Sequence, residues 1–425
     1  MIDLLEDDHY EVIRRHFEFR GVPLYAMGFW NLLGSVLSHM AVMKLRDWGS
    51  FYHLLPENPN AAEWIIFWLR AIKSSDSLVG IRGGMDWIVA RLCQELGLVV
   101  AKADDAGLLE PNERGELRYT EGGPHCDLRL RHKLKEVRED ANGVTLVFKN
   151  GEKEIVEVKK LDHVILAMPK APLQKIHYQG KAEMVSEFCQ DLDSVFAFPL
   201  LKCFFVIDKP FWEDNRKPNT YAAHVPTREL HWWKSRDKTL GMSMLYTDRP
   251  GTQFWADYLT DQHLADKNRK QIQAKVWRWS TNEVDSKYLR KGDKFENERL
   301  LRTFLLYARE KSSEYVTASR LIAAGMRDWG LMPYGGACHA WRSGSQSWEV
   351  RKRLKCFSLW DKSRGSIHVC GEAYSDYQGF IEGSLRSARD ILVLDNEPFN
   401  ISDEDLLPTG YNDRALPRSR RPSQR

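Results

Sequence analysis

Residues 369–388 read VCGEAYSDYQGFIEGSLRSA, and this stretch decides the fold. A short apolar strand pattern at 367–370 ends in Gly371-Glu372, a polar loop follows, and Gln378-Gly379-Phe380 leads into a helical pattern at 382–394. Small residues before a helix let a flat ligand or an anion approach the unpaired backbone N–H groups of the helix N-terminus. Spacing alone fits a glycine-rich turn before a surface helix equally well.

The residues themselves separate these alternatives, because GEAYSDYQGFIEGSLRSA closely resembles the C-terminal flavin-binding motif of the flavin-containing amine oxidase family. Further stretches resemble the same family in the same order, so that the resemblance runs from about residue 28 to residue 394. They are the Gly83-Gly84-Met85 segment before a helical pattern, the strand at 131–137, the strand VILAMP ending at Pro169, and Leu201-Lys202-Cys203 with Pro210-Phe211-Trp212 downstream.

The resemblance implies an α/β (α+β) fold with a Rossmann-like FAD-binding domain and a substrate domain of mixed sheet and helices. We expect the FAD-binding domain at 80–195 and 335–395, the substrate domain at 1–79 and 196–334, and a polar tail at 396–425. It also implies FAD as cofactor and an oxidation of an amine or L-amino acid, with O₂ as the oxidant.

The local patterns mix helices and strands. Residues 1–79 are predicted to be mainly helical, and a helix is expected at 86–96. Asn150-Gly151 is a strong hairpin signal inside a meander of strands at 127–138, 143–149 and 154–159, followed by a buried strand at 161–169. Strands at 198–207 and 241–246 and helices at about 260–285 and 297–325 complete the prediction.

Composition excludes several classes of protein. The 425 residues are 43% hydrophobic, which suits a globular protein with a large core. The charge of +3, from 62 basic and 59 acidic residues, gives no strong field for nucleic acid or an anionic membrane. No stretch has the roughly 20 apolar residues of a membrane span, and residues 1–20 lack the apolar region of a secretory signal. Seven cysteines without a CxxC pair predict reduced thiols in a cytoplasmic protein.

Lys202 is the main catalytic candidate. It lies in the apolar strand pattern FPLLKCFFVI, where burying an ammonium group is costly unless a partner solvates it. The alternative is a strand-edge lysine that extends its charge into water. The resemblance implies that Lys202 holds a water molecule against flavin N5, where a fixed positive charge would assist reoxidation by O₂ or imine hydrolysis.

Residues 335–348, GGACHAWRSGSQSW, resemble the family segment that lies along the flavin ring. Aligning the paired glycines places Ala337 where some relatives carry a cysteine bonded to FAD, whereas a shift of one residue would place Cys338 there. We favour Ala337 and therefore non-covalent FAD. Trp341 and Phe380 are the predicted aromatic walls of the substrate site, with packing in the core as the alternative.

The resemblance implies contacts with FAD along the whole chain. Leu134 would lie on the strand beside the adenine, and Glu372 near the ribityl chain. The full predicted set is Gly84, Met85, Leu134, Trp341, Gly371, Glu372, Gln378, Gly379, Phe380 and Ile381. No metal ligands are predicted.

The N-terminal part resembles bacterial L-amino-acid oxidases and monooxygenases through Gly28-Phe29-Trp30-Asn31, Leu37-Ser38-His39 and Asn60-Ala61-Ala62-Glu63. This favours an L-amino acid as substrate over a simple amine. Oxidation to a keto acid, ammonia and H₂O₂ is the predicted outcome, and oxidative decarboxylation to an amide by a 2-monooxygenase is the alternative.

One motif of the family is missing: GxGxxG, which places the FAD pyrophosphate on a helix N-terminus, occurs nowhere in the sequence. A second polypeptide, a processed precursor or a fragment would each account for this. We favour a second polypeptide carrying GxGxxG, since Met1 with the acidic segment after it resembles a natural start. A non-catalytic structural or regulatory subunit beside an intact oxidase is the alternative from another class.

Overall fold

The computed structural model describes residues 7–48, 57–73, 85–96, 128–129, 131–151, 154–208, 210, 212, 227–235, 237–248, 251–259, 274–278, 299–306, 321–332 and 334–393. The predictions for Gly84, for Cys126 and for the tail lie outside these residues. Within them, no helix is long and apolar enough to cross a membrane. The six cysteines they include form no disulfide with one another.

The described residues of the N-terminal part are mainly helical, as predicted. Apolar residues at helical spacing place one face of the helix AAEWIIFWLRAIK (Ala61–Lys73) against the helices Asp7–His16 and Phe29–Val36. A two-residue hairpin separates the first two helices, with Arg20 (φ +53°) and Gly21 (φ +77°) at its turn. The elements are α1 (Asp7–His16), β1 (Glu18–Phe19), β2 (Val22–Pro23), α2 (Phe29–Val36), α3 (His39–Trp48), α4 (Ala61–Lys73) and α5 (Asp86–Glu95).

A four-stranded sheet contains the predicted meander of β3 (His132–Asp140), β4 (Gly143–Asn150) and β5 (Glu154–Leu161). Gly143 (φ +125°) and Gly151 (φ +59°) lie at its two hairpin turns. The chain continues through β6 (Val164–Ala167), the one-turn helix α6 (Lys170–Leu173), β7 (His177–Gln179) and α7 (Ala182–Asp193). Strand β7 pairs in parallel with β3 and completes the order β5-β4-β3-β7.

A five-stranded antiparallel sheet forms the second layer. Its strands lie in the order β10 (Glu229–Lys234), β11 (Leu240–Thr247), β9 (Leu201–Asp208), β13 (Leu321–Asp328) and β12 (Ala274–Arg278). Strand β9 lies at its centre and buries alternate residues, including Cys203 and Phe205, against Trp255 and Phe304. The elements are β8 (Val195–Phe198), β9 (Leu201–Asp208), β10 (Glu229–Lys234), β11 (Leu240–Thr247), α8 (Gly251–Trp255), β12 (Ala274–Arg278), α9 (299–306) and β13 (Leu321–Asp328).

The two long helices predicted at 260–285 and 297–325 are wrong in part. Residues Ala274–Arg278 and Leu321–Asp328 are paired strands, and among the described residues only 299–306 are helical there. The alanines of LIAAGMRD favour a helix locally, but Ala324 pairs with Phe205 of the central strand. Long-range pairing therefore overrides local helix propensity.

The C-terminal part returns to the first layer. Strand β14 (Cys338–Trp341) pairs with β8, and α10 (Ser347–Lys355) follows. Strand β15 (Ile367–Cys370) pairs in parallel with β6, as a buried strand of an α/β sheet should, and α11 (Ile381–Leu392) packs behind it. One core joins residues of 137–195 and 341–374, and another joins residues of 201–326. The domain boundaries themselves stay predictions.

Candidate functional site

Glu372 organises the turn between β15 and α11. Its Oε1 atom accepts hydrogen bonds from the backbone N–H groups of Gly379 (2.6 Å) and His339 (3.1 Å). Its Oε2 atom lies 2.7 Å from Nδ1 of His339. This half-buried carboxylate, predicted to contact the ribityl chain, thus binds groups of its own chain and fixes the position of the turn.

Two glycines of this turn adopt backbone conformations that only glycine takes readily. Gly371 has φ +129° and Gly379 has φ +90°. A Cβ atom on Gly379 would lie 3.1 Å from Sγ of Cys338. The missing side chain at Gly379 therefore lets Cys338 lie close to the backbone at the start of α11. No side chain caps this helix N-terminus, whose N-cap residue is Phe380.

Gln378 and Asp376 hold the rest of the loop. The Gln378 side chain accepts from the Trp341 N–H at 3.1 Å and donates to the Ala373 carbonyl at 2.6 Å. The Asp376 carbonyl accepts from Arg70 at 2.7 Å and from Arg14 at 3.0 Å. The loop is therefore fastened both to β14 and to the N-terminal helices.

Opposing effects act on the Asp376 carboxylate. Burial raises its pKa, but Arg351, Arg70, Arg14 and Arg386 lower it and set the net shift, which is downward. The loop therefore keeps its ionic contacts across the neutral pH range.

A cluster of aromatic residues joins the turn to the five-stranded sheet, and we call it the aromatic cluster. The ring of Phe380 stacks on Tyr377 (5.1 Å between centroids) and on Phe67 (5.9 Å). The cluster consists of buried Trp64, Phe67, Phe196, Phe198, Leu200, Cys338 and Ala340, with half-buried Phe29, Trp68, Tyr246, Ala337 and Phe380 packed against them.

Lys202 lies on the central strand β9, at the edge of the aromatic cluster. Its ammonium group is 4.6 Å from the centroid of the Tyr246 ring, which pairs with it across β9 and β11. Burial lowers the pKa of Lys202, and the charge of Glu229 opposes this only in part. A half-buried lysine of lowered pKa can hold or move a proton near neutral pH more readily than a surface lysine.

Trp341 is not brought together with Phe380 in the aromatic cluster. It is 1% exposed, belongs to the core beneath the four-stranded sheet, and donates its indole N–H to the Ser375 carbonyl at 3.3 Å. This position is that of a core residue. Tyr246 and Phe67 lie in one cluster with Phe380, and the role of Trp341 as a wall of the substrate site stays a prediction.

His339 carries a buried polar atom that the chain leaves unsatisfied. The residue is 2% exposed, its Nδ1 faces Glu372, and its Nε2 atom has no hydrogen-bond partner in the described part of the chain. Such an atom costs free energy unless a ligand or water contacts it. His339 thus belongs to the candidate site.

Cys338 lies between Glu372 and Gly379. Burial raises the pKa of its thiol well above the usual value, and the charge of Glu372 adds to this. The thiol is therefore protonated at neutral pH and unreactive as a nucleophile. This favours non-covalent over covalent attachment of a cofactor at this position.

The remaining predicted contacts are dispersed. Leu134 is half-buried in β3 and packs on the same core as Trp341. Met85, which precedes α5, is 55% exposed, and Ile381 at the start of α11 is 49% exposed. The structure thus groups Glu372, Gln378, Gly379 and Phe380, whereas Leu134 and Met85 lie apart from them on other elements.

Sequence reasoning missed Tyr246, Phe67 and His339. Each joins the site through a distant contact: Tyr246 through a strand pairing, Phe67 through ring stacking, and His339 through a carboxylate 33 residues away. Only His339 had a local signal in the sequence. Side chains alternate along a strand, so His339 lies on the opposite face from its neighbours Cys338 and Ala340, which belong to the aromatic cluster.

The sequence profile of the flavin-containing amine oxidoreductases matches residues 32–391, most of the chain. Among solved structures, a double variant of putrescine oxidase from a redesign of cofactor binding matches with a TM-score of 0.53 and 14% identity, over 91% of this chain and 74% of that one. A triple variant of the same series gives 0.52 and 14%, over 90% and 72%. Cyclohexylamine oxidase from Brevibacterium oxydans gives 0.44 and 11%, over 87% and 67%. No curated protein sequence matches.

Proposed function

The chain belongs to the flavin-containing amine oxidoreductase family, and from this we propose that it oxidises an L-amino acid, or a related amine, with FAD. Bound FAD would supply an acceptor for a hydride from the carbon that carries the amino group, and the two electrons, with two protons, would reduce O₂ to H₂O₂. The substrate would leave as an imine, which water hydrolyses to a keto acid (or aldehyde) and ammonia.

The residues of the turn fit a flavin. The unsatisfied Nε2 atom of buried His339 offers a polar contact, and the positive φ of Gly379 permits close approach of a flat ring. The uncapped N-terminus of α11 offers N–H groups and a positive dipole end to flavin oxygen atoms. The protonated Cys338 thiol supports non-covalent binding.

One observation carries the proposal: Lys202 lies over the ring of Tyr246, and Tyr246 and Phe380, far apart in the sequence, pack against the same buried cluster. We assign to Phe380 and Tyr246 the walls that orient the substrate amine and exclude water. Lys202 would hold a water molecule or a proton beside the reacting centre, as a half-buried cation of lowered pKa can. Glu372 positions the turn.

We further propose that a second polypeptide supplies the pyrophosphate site. The sequence contains no GxGxxG, and within the described residues β6 and β15 form a parallel sheet of only two strands. Ile165 on β6 is 43% exposed, although parallel sheets are usually covered on both faces. These facts support a further strand and helix at this edge. We call the chain with FAD and this polypeptide the holoenzyme. The scattered cysteines of the sequence, which include no CxxC pair, support the proposal that it is cytoplasmic.

Peroxide release from the holoenzyme tests the proposed reaction. We expect H₂O₂ and ammonia in equal amounts from at least one L-amino acid or amine. An amide product without peroxide would instead identify a monooxygenase. A yellow holoenzyme that oxidises no amine would contradict the proposed function.

A further inference from the structure

Arg70 on α4 is a buried cation that contacts the loop before α11. The residue is 7% exposed, and its Nη1 atom donates to the Asp376 carbonyl oxygen at 2.7 Å. Its Nη2 atom donates to Oδ1 of Asp7 at 2.8 Å and to Oδ2 of Asp376 at 3.3 Å. One guanidinium group thus binds both the backbone and the side chain of Asp376 and ties them to the start of α1.

The same guanidinium group lies between two aromatic rings. Its central carbon atom is 4.7 Å from the ring centroid of Tyr10 and 4.7 Å from that of Tyr377. Tyr10 lies on α1 and is 3% exposed, so one side of the guanidinium group rests on a buried surface. The other side supports Tyr377, the residue that follows Asp376. Arg70 therefore holds a peptide group of the loop and the ring next to it.

A continuous stack of rings carries this contact to the proposed substrate site. The Tyr377 ring stacks on Phe380 with 5.1 Å between centroids, and Phe380 stacks on Phe67 with 5.9 Å. Phe67 and Arg70 are three residues apart on α4, so their side chains are neighbours on the helix surface. One helix thus supports both rings of the pair that brackets Gly379.

The position favours a guanidinium group because of its geometry. An apolar side chain of similar volume would fill the space between Tyr10 and Tyr377 with comparable stability, since a buried ion pair loses much of its attraction to desolvation. It would bind neither oxygen of Asp376, and Arg14 would remain as a donor to the carbonyl at 3.0 Å. An ammonium group lacks the planar fork that bonds in two directions while its faces contact rings.

We propose that Arg70 is a positioning residue of the oxidation: it acts through Tyr377 on the orientation of the Phe380 ring, and thereby on the orientation of the substrate amine. This inference rests on the proposed function, in which Phe380 is a wall of the substrate site. Flavin reduction by the substrate depends on that orientation. Reoxidation by O₂ is assigned to Lys202 on β9 and does not depend on it.

Stopped-flow kinetics of the holoenzyme separates the two steps. Arg70→Met should slow flavin reduction at saturating substrate by at least about tenfold per bound FAD, because a small displacement of a bound substrate costs a large factor in rate. Reoxidation of the reduced holoenzyme by O₂ should keep the wild-type rate. Arg70→Lys keeps the charge and should be slowed in the same step, and it provides the test if the methionine variant fails to fold.

Arg386→Met is the matched control. Arg386 donates to Oδ2 of Asp376 at 3.1 Å and to Oδ2 of Asp7 at 3.0 Å, and its guanidinium carbon atom lies 5.6 Å from the Tyr377 ring centroid. Within the described residues, all its hydrogen bonds go to carboxylates. The variant removes the same charge from the same acids and leaves the donors to the loop backbone in place, so both rates should be retained.

Hydrogen exchange of the holoenzyme, followed by mass spectrometry, provides a readout that needs no turnover. The amides of residues 376–380 should exchange faster in Arg70→Met than in the wild type or in Arg386→Met, because the loop loses a donor to its backbone. Faster exchange throughout the chain would indicate a general loss of stability and would overturn the inference.

The outcomes separate this inference from the proposed function. If no L-amino acid or amine reduces the wild-type flavin, the proposed reaction is contradicted, and faster exchange confined to residues 376–380 in Arg70→Met would still support the hold of Arg70 on the loop. Reduction of both Arg70 variants at the wild-type rate would overturn the inference and leave the reaction intact. Equal slowing of reduction and reoxidation, or loss of FAD from both variants, would limit Arg70 to folding and overturn it as well.

Discussion

Glu372→Gln tests how the site is built. The carboxylate receives the N–H groups of Gly379 and His339 and faces Nδ1 of His339, at 2.6, 3.1 and 2.7 Å. An amide keeps one acceptor oxygen but turns an NH₂ group toward Nδ1. Charged hydrogen bonds contribute about 1.5–3 kcal/mol and neutral ones about 0.5–1.5 kcal/mol, so weakening two bonds and losing one destabilises the fold by about 5 kcal/mol.

The effect on function should follow from the same geometry. The turn at Gly379 would shift, and FAD affinity of the holoenzyme should fall by tenfold or more, as measured by flavin fluorescence. Glu382→Gln is the matched control, because Glu382 is exposed and pairs only with Arg386 at 2.8 Å in the described chain. A surface pair contributes at most about 1 kcal/mol. Equal denaturant midpoints and equal FAD affinity for the two variants would refute the role given to Glu372.

Three further predictions concern other residues. Lys202→Met should leave FAD bound and slow turnover or stopped-flow reoxidation at least about tenfold. The control Lys275→Met also removes an ammonium group that lies 4.7 Å from an aromatic ring centroid, and it should leave these rates unchanged. Equal rates for the two variants would remove Lys202 from the mechanism. Gly379→Leu should prevent FAD binding, because the new side chain would collide with Cys338 and distort the turn. The control Gly344→Leu changes a glycine with a similar φ of +86° and open space around it, so the variant should lose about 1–3 kcal/mol of stability and still bind FAD. Burial raises the pKa of Asp248 to about 7, so the native protein retains a proton that the unfolded chain releases above about pH 4. The stability of the wild type relative to Asp248→Asn should therefore fall between about pH 4 and about pH 7 and stay constant above about pH 7. A rise between pH 4 and pH 7 would contradict the raised pKa of Asp248.

Local patterns predicted those parts of the fold that depend on local chemistry. The meander followed from alternation and from the turn at Asn150-Gly151, and β15 with its following turn followed from one motif. Strand β13 was missed because LIAAGMRD favours a helix until it pairs with β9. Periodicity describes single elements, and strand partners are set by the whole sheet.

The same limit applies to the site. Gly379 and Phe380 were predicted because they are neighbours within a motif. Trp341 was chosen as a wall for its chemistry, but the alternation of β14 directs it into the core. Tyr246 comes to lie beside Lys202 through a strand pairing that no local pattern reveals.

Flavin absorbance of the purified chain, measured after saturation with FAD and removal of unbound cofactor, tests the central claim most directly. The central claim is that this family member binds FAD through the turn at Gly379 but takes its pyrophosphate contacts from a second polypeptide. The chain alone should then be colourless, and it should hold one FAD when co-purified with a polypeptide carrying a strand, GxGxxG and a helix. Stoichiometric FAD on the chain alone would contradict the need for a second polypeptide, and a colourless complex would contradict the flavin site itself.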